Sequence, residues 1–133
     1  VGGTFNTAEG GKVTVLSVQN SNARTTSLIG ADQHFVAVKV RNCLGSEAGN
    51  ISPAPWRVVD TDSGEYEAID VKPAPTDFPQ PTYPSDVEGD AVRPAGSCVS
   101  GWMMFGVNKD AKVSRIDYRN SHAGSASWSA NLG

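Results

Sequence analysis

The chain has 133 residues, a formal net charge of −3 and 38% apolar residues, enough for one domain that buries roughly two-thirds of its unfolded surface. No apolar run nears the ~20 residues of a membrane span, and the composition is too apolar for a disordered tail, so a membrane-inserted or unfolded chain is excluded. The acidic balance gives no global attraction to nucleic acid. Charge is unevenly spread, however. Residues 60–90 hold nine acids and one base, a balance of −8, and the rest of the chain sums to +5. One acidic and one mildly basic region are expected on the folded surface.

The chain opens on Val1 without an initiator methionine, as expected where processing has removed what came before. Residues 1–11 are mostly Gly, Thr, Asn and Glu with little to bury, and read as a flexible N-terminal segment before a domain over 12–133. Residues 12–19 alternate, with Val13, Val15 and Ser17 against Thr14, Leu16 and Val18, and predict a first strand. A polar loop follows to Asp32, with Leu28 and Ile29 as a short apolar anchor. Residues 34–41 place Val36, Val38 and Val40 on one face of a central strand. Pro53 and Pro55 keep the next loop out of helix and central strand.

Residues 56–60 and 65–69 predict a hairpin, with Asp62 accepting backbone hydrogen bonds in the turn and Gly64 supplying positive φ. Trp56 and Val58 would face the core opposite Tyr66 and Ala68. The next segment carries Pro73, Pro75, Pro79, Pro81 and Pro84 interleaved with Phe78 and Tyr83. It is stiff and extended, suited to covering a sheet edge; rigid Pro-flanked aromatics also suit a partner contact, through Phe78, Tyr83, Pro79 and Pro81.

The densest apolar run is residues 98–107. Val99, Met103, Phe105 and Val107 share one parity and Cys98, Trp102 and Met104 the other, so an inner strand touched on both faces is expected. Residues 111–119 form another strand, in which Asp117 between two bases offers a surface ion pair of small worth. Residues 125–132 close an edge with Trp128 inward. About seven to eight strands with turns every eight to twelve residues are the signature of an all-β, antiparallel sandwich.

Cys43 and Cys98 are the only cysteines, and an even count without metal-ligand spacing reads as one structural disulfide of an oxidising compartment, against two free buried thiols. A bridge closing so long a loop would contribute roughly 4 kcal/mol. Cys43 ends its strand and Cys98 begins its own. In an immunoglobulin-like sandwich the two strands are expected to run the same way, so the bridge should fasten a strand end or loop and not cross the core.

The valine strand ending in Val40-Arg41-Asn42, then Trp56, Val58, Asp60, Gly64 and Tyr66, then the run from Pro94 through Gly96, Cys98, Gly101 and Trp102 to Phe105, and a last strand with Tyr118, together resemble the DUF4352 and MPT63-like group of secreted immunoglobulin-like domains. The resemblance spans residues 11–118. It implies a secreted or lipoprotein-attached module of the bacterial cell envelope, with no catalytic residues to carry over.

Chemistry-bearing motifs are sparse. There is no G-x-S-x-G turn to support a triad of His122 with Asp117, and no phosphate-binding glycine motif. Two histidines and two paired cysteines are too few for zinc or copper, so no catalytic residue, cofactor or transition metal is assigned. A calcium site on Asp60, Asp62 and Glu67 is one alternative, and a hydrolase with a shallow carboxylate pair among Glu65, Glu67, Asp86 and Glu88 another. Arg115, Arg119, Lys109 and Lys112 with Tyr118 form only a weak nucleic-acid stripe. The reading is a non-enzymatic extracellular binding or accessory module without nucleic-acid partner or direct membrane insertion. Its partner would be an unidentified protein or cell-wall component, met by the Pro-aromatic segment and the adjoining acidic hairpin.

Overall fold

The computed structural model describes residues 2–21, 29–30, 32–70, 78–84, 91–121 and 124–132. Ten strands follow one another: β1 (Thr4–Asn6), β2 (Lys12–Ser21), β3 (Gln33–Cys43), β4 (Gly49–Asn50), β5 (Trp56–Asp60), β6 (Glu65–Ile69), β7 (Val92–Arg93), β8 (Cys98–Asn108), β9 (Val113–Asn120) and β10 (Gly124–Leu132). Eight of them share one antiparallel ladder in the order β1-β2-β3-β8-β6-β5-β9-β10, and β4 pairs with β7. The ladder folds back on itself at β6. Tyr66 there pairs with Val58 of β5, while Ala68 and Ile69 pair with Phe105 and Met104 of β8. Strands from opposite ends of the order consequently meet: Trp128 Nε1 on β10 donates to the Gly3 carbonyl just before β1 (2.6 Å), and Phe5 packs on Tyr118. The result is a sandwich of a five-strand layer (β1, β2, β3, β8, β6) over a three-strand layer (β5, β9, β10).

Alternation supplies the core between the layers. Val36, Val38 and Val40 of β3 and Met103, Phe105 and Val107 of β8 face Trp56, Val58, Ile116, Tyr118 and Trp128. Trp56 stacks on Trp128 with centroids 5.6 Å apart and meets Tyr118 edge-on at 5.0 Å, the offset and T-shaped arrangements that aromatic quadrupoles favour. β8 is extended through the middle of its layer, as its two apolar parities require. Odd-numbered side chains fill the main core, and on the outer face Met104 and Trp102 join Phe35, Ala37, Ile29, Ile69 and Phe78 in a second, smaller core.

Several expectations change. The N-terminal segment is not a loose leader: β1 pairs with β2 from Thr4↔Thr14 to Asn6↔Lys12, and Gly2 N donates to Val15 O. The strict alternation read over residues 12–19 breaks at a bulge between Val15 and Ser17, which turns Leu16 out to 41% exposure and brings Val18 against the core; one extra residue inverts the faces beyond it. A shift between Val59 and Asp60 likewise turns Val113 inward, away from the Arg115 parity. The bridged cysteines lie on antiparallel neighbours, with Cys43 directly opposite Cys98 and their Cα atoms 4.0 Å apart. The premise that their strands run the same way is therefore corrected. The bridge fastens strand ends within one layer.

Candidate anion-binding surface

The Pro-aromatic segment is built into the fold. Beyond the short contact with β6, no strand among the described residues lies on that side of the first half of β8, where residues 81–83 run: Trp102 N donates to Pro81 O (3.0 Å), Tyr83 N donates to Trp102 O (2.9 Å), and Thr82 bridges Trp102 in parallel. Gly101 permits this approach, since a Cβ there would lie 2.6 Å from Tyr83 N. Phe78 is 2% exposed and edge-on to Phe35, and Tyr83 is 6% exposed with its hydroxyl accepting from Asn42 Nδ2. Apolar burial takes both rings, so the expected aromatic contact is corrected: of its four residues only Pro81, exposed, and Pro79, half-buried, reach solvent. Pro73 and Pro75 lie outside the described residues.

The hairpin is also self-satisfied. Asp60, 7% exposed, accepts from Asp62 N (2.9 Å), Gly64 N (2.8 Å) and the Tyr66 hydroxyl (2.8 Å). Those donors, Gly64 first and then Tyr66, hold its carboxyl below the usual range. Asp60, not Asp62, anchors the turn. Positive φ falls on Ser63 (66°), and Gly64 is needed because a Cβ would strike the Asp60 carboxylate. Glu67 instead pairs with Arg57 on the outer face (3.3 Å), so Asp60, Asp62 and Glu67 do not converge on a cation. Of the carboxylates weighed for hydrolysis, Glu65 and Glu67 are each tied to an arginine; Asp86 and Glu88, like His122, lie outside the described residues.

On the outer face of the three-strand layer every arginine is matched. Arg119 grips Glu65 with two bonds (2.6 and 3.1 Å) and reaches Asp117 at 2.7 Å, while Arg115 Nε meets Asp117 at 3.0 Å. Asp117 is not the marginal surface partner expected. It is 4% exposed and also accepts from Ser127 Oγ (2.7 Å). Burial pushes its carboxyl up, but Ser127, Arg119 and Arg115 outweigh that and hold it below the usual range. With Tyr118 buried, the basic stripe read in the last strands is neutralised there.

The outer face of the five-strand layer differs. Its inner half is sealed by Phe78, Ile29 and Ile69, and among the described residues its other half is exposed or half-buried. Register places Lys12, Cys43 and Cys98 in one cross-strand row and Thr4, Thr14, Arg41 and Ser100 in the next, with Lys39 beside Trp102 in the row after. Strand geometry separates successive cations by about 7–8 Å. Lys39 Nζ stands 6.0 Å from the Trp102 ring centroid. The Thr4 and Thr14 hydroxyls share a hydrogen bond (2.9 Å). A shallow depression of about 390 Å³ opens between Lys12 and Arg41, walled by Thr4, Thr14, Gly96 and the disulfide, with no carboxylate among the described residues of its lining. Among the described residues, no ion pair takes Lys12, Lys39 or Arg41. Sequence reading missed this array because its members come from separate strands; the +5 balance outside residues 60–90 was the available signal.

No family model matches the chain, and no curated protein matches it in sequence. Solved structures do share its fold. The secreted protein MPT63 of Mycobacterium tuberculosis is 13% identical with a TM-score of 0.65, the match covering 96% of this chain and 90% of that one. A candidate lipoprotein of Bacillus subtilis, YcdA, is 14% identical with a TM-score of 0.65, covering 97% of this chain and 39% of that one. The chain has the MPT63-like fold: an all-β immunoglobulin-like sandwich carrying one disulfide.

Proposed function

We propose that this chain is a non-enzymatic binding module of the extracellular face of the cell envelope, and that its open basic face takes an anionic cell-wall polymer. The carrying observation is the contrast in pairing: among the described residues no ion pair takes Lys12, Lys39 or Arg41, while the arginines of the opposite face are matched by Glu65, Glu67 and Asp117. Unpaired cations at about 7–8 Å intervals, interleaved with threonine and serine hydroxyls, suit a chain of repeated anionic groups. The likeness to a secreted protein and to a candidate lipoprotein supports the location, as does the disulfide. Pro81 lies beside Trp102 on the same face, and we assign it, with the half-buried Pro79, to the rim.

The test is adsorption of the protein to immobilised poly(glycerol phosphate) and to uncharged dextran. Retention on the phosphate polymer alone, lost in Lys12→Glu/Arg41→Glu with the fold unchanged by circular dichroism, supports the reading. Equal retention of both proteins, or retention on dextran, overturns it.

A further inference from the structure

At the disulfide end the two layers part, and the gap between them is a second concavity, separate from the basic face. It holds about 220 Å³ and is lined by Asn42 of the five-strand layer, Tyr118 and Asn120 of the three-strand layer, and the Thr7, Glu9 and Glu47 loops. Asn42 is the anomaly. It follows Val36, Val38 and Val40 on the inward parity of β3, where another aliphatic side chain would extend the core, and it is 8% exposed. Its Nδ2 donates to Tyr83 Oη at 3.2 Å, whereas among the described residues its Oδ1 takes no bond and is not one of the sealed polar atoms, so it keeps access to solvent at the mouth. Such an acceptor beside the core is a binding group in waiting.

We infer that this mouth is a site for a single neutral sugar ring. Among the described residues the lining contains no cation, which sets it apart from the adjoining basic depression and argues against an anion. It offers amides and a phenol, which both donate and accept, beside carboxylates that only accept. Leu44, Ala48 and the Tyr118 ring supply apolar wall. Vicinal hydroxyls on a ring with an apolar C–H face match that combination, and the volume suits one ring better than a chain. The rim is set before binding: Thr7 N donates to Gly11 O, Gly11 N to Thr7 Oγ1, and Gly96 N to Gly45 O. Gly11 and Gly45 lie so close to the Cys43 and Glu9 carbonyls that no Cβ fits at either. Preorganisation of this kind lowers the entropy cost of binding.

The experiment is a ¹H–¹⁵N titration with methyl β-D-glucopyranoside and N-acetylglucosamine at millimolar concentration, with ethanolamine as an ammonium control. The variants are Ala48→Trp, which fills the mouth, and Asn42→Val, which replaces the open acceptor; melting temperature reports that each is folded. Expected are shifts confined to residues 7–11, 42–50 and 118–120 for at least one sugar, and affinity at least tenfold weaker in both variants. Absence of shifts with either sugar, a response to ethanolamine alone, or wild-type affinity in folded Ala48→Trp would overturn the assignment.

Discussion

Two faces of the sandwich look outward, and among the described residues each carries three cations on its strands. On the three-strand layer Arg57, Arg115 and Arg119 are neutralised by Glu65, Glu67 and Asp117, with Asp117 buried beneath them. On the five-strand layer no ion pair takes Lys12, Lys39 or Arg41 among the described residues, and the described apolar cover reaches as far as Trp102. Charges satisfied within the fold can contribute to stability; charges left unsatisfied are available to a partner. Substitutions on the two faces should therefore separate stability from binding.

The largest expected effect is on the seam at the open face. Cys43→Ser/Cys98→Ser releases the β3 and β8 ends and should cost about 4 kcal/mol, read by urea unfolding under oxidising conditions. A loss under about 1 kcal/mol would show that the ladder holds those ends alone. Next comes the paired face: Asp117→Ala should cost about 2 kcal/mol, since it strips a buried acceptor from Ser127 and two arginines. A neutral result would reduce that network to surface decoration.

Acid should act through the hairpin and the paired face. Asp60 and Asp117 are both held below the usual carboxylate range. Their contribution is complete above the unfolded value of about 3.9 and is lost as pH falls through their lower folded values. Melting temperature should thus hold steady from pH 7 to about pH 5 and drop below about pH 4, less steeply in Asp117→Asn. The smallest stability effect is reserved for the open face, where Arg41→Glu should change unfolding free energy by under about 0.5 kcal/mol. A larger loss would mean that the cations are structural after all.

Much of this fold could be read from alternation. The parity of residues 98–107 marks both faces of β8, and Trp56 and Val58 do face Tyr66 and Ala68 across the hairpin, although Asp60 and not Asp62 sets its turn. Bulges were hidden, because nothing local to Leu16 or Val113 marks the residue at which a ladder slips. The Pro-aromatic segment was read partly correctly: its edge-covering path lies along β8, but the fate of Phe78 and Tyr83 depended on Phe35 and Asn42, distant in the chain. The basic face was least visible for the same reason. Lys12 joins Lys39 and Arg41 only when the antiparallel strands β2 and β3 are laid side by side.

The most direct measurement is the dissociation constant for poly(glycerol phosphate) as a function of salt, for the wild type and for Lys12→Glu/Lys39→Glu/Arg41→Glu. Three contacts to a single-stranded polyanion should make the logarithm of the dissociation constant rise with the logarithm of salt concentration at a slope near +2 (about 0.7 per contact), with binding abolished in the folded triple variant. A salt-independent affinity, or a triple variant that binds as the wild type does, would contradict the assignment of the open face to an anionic partner.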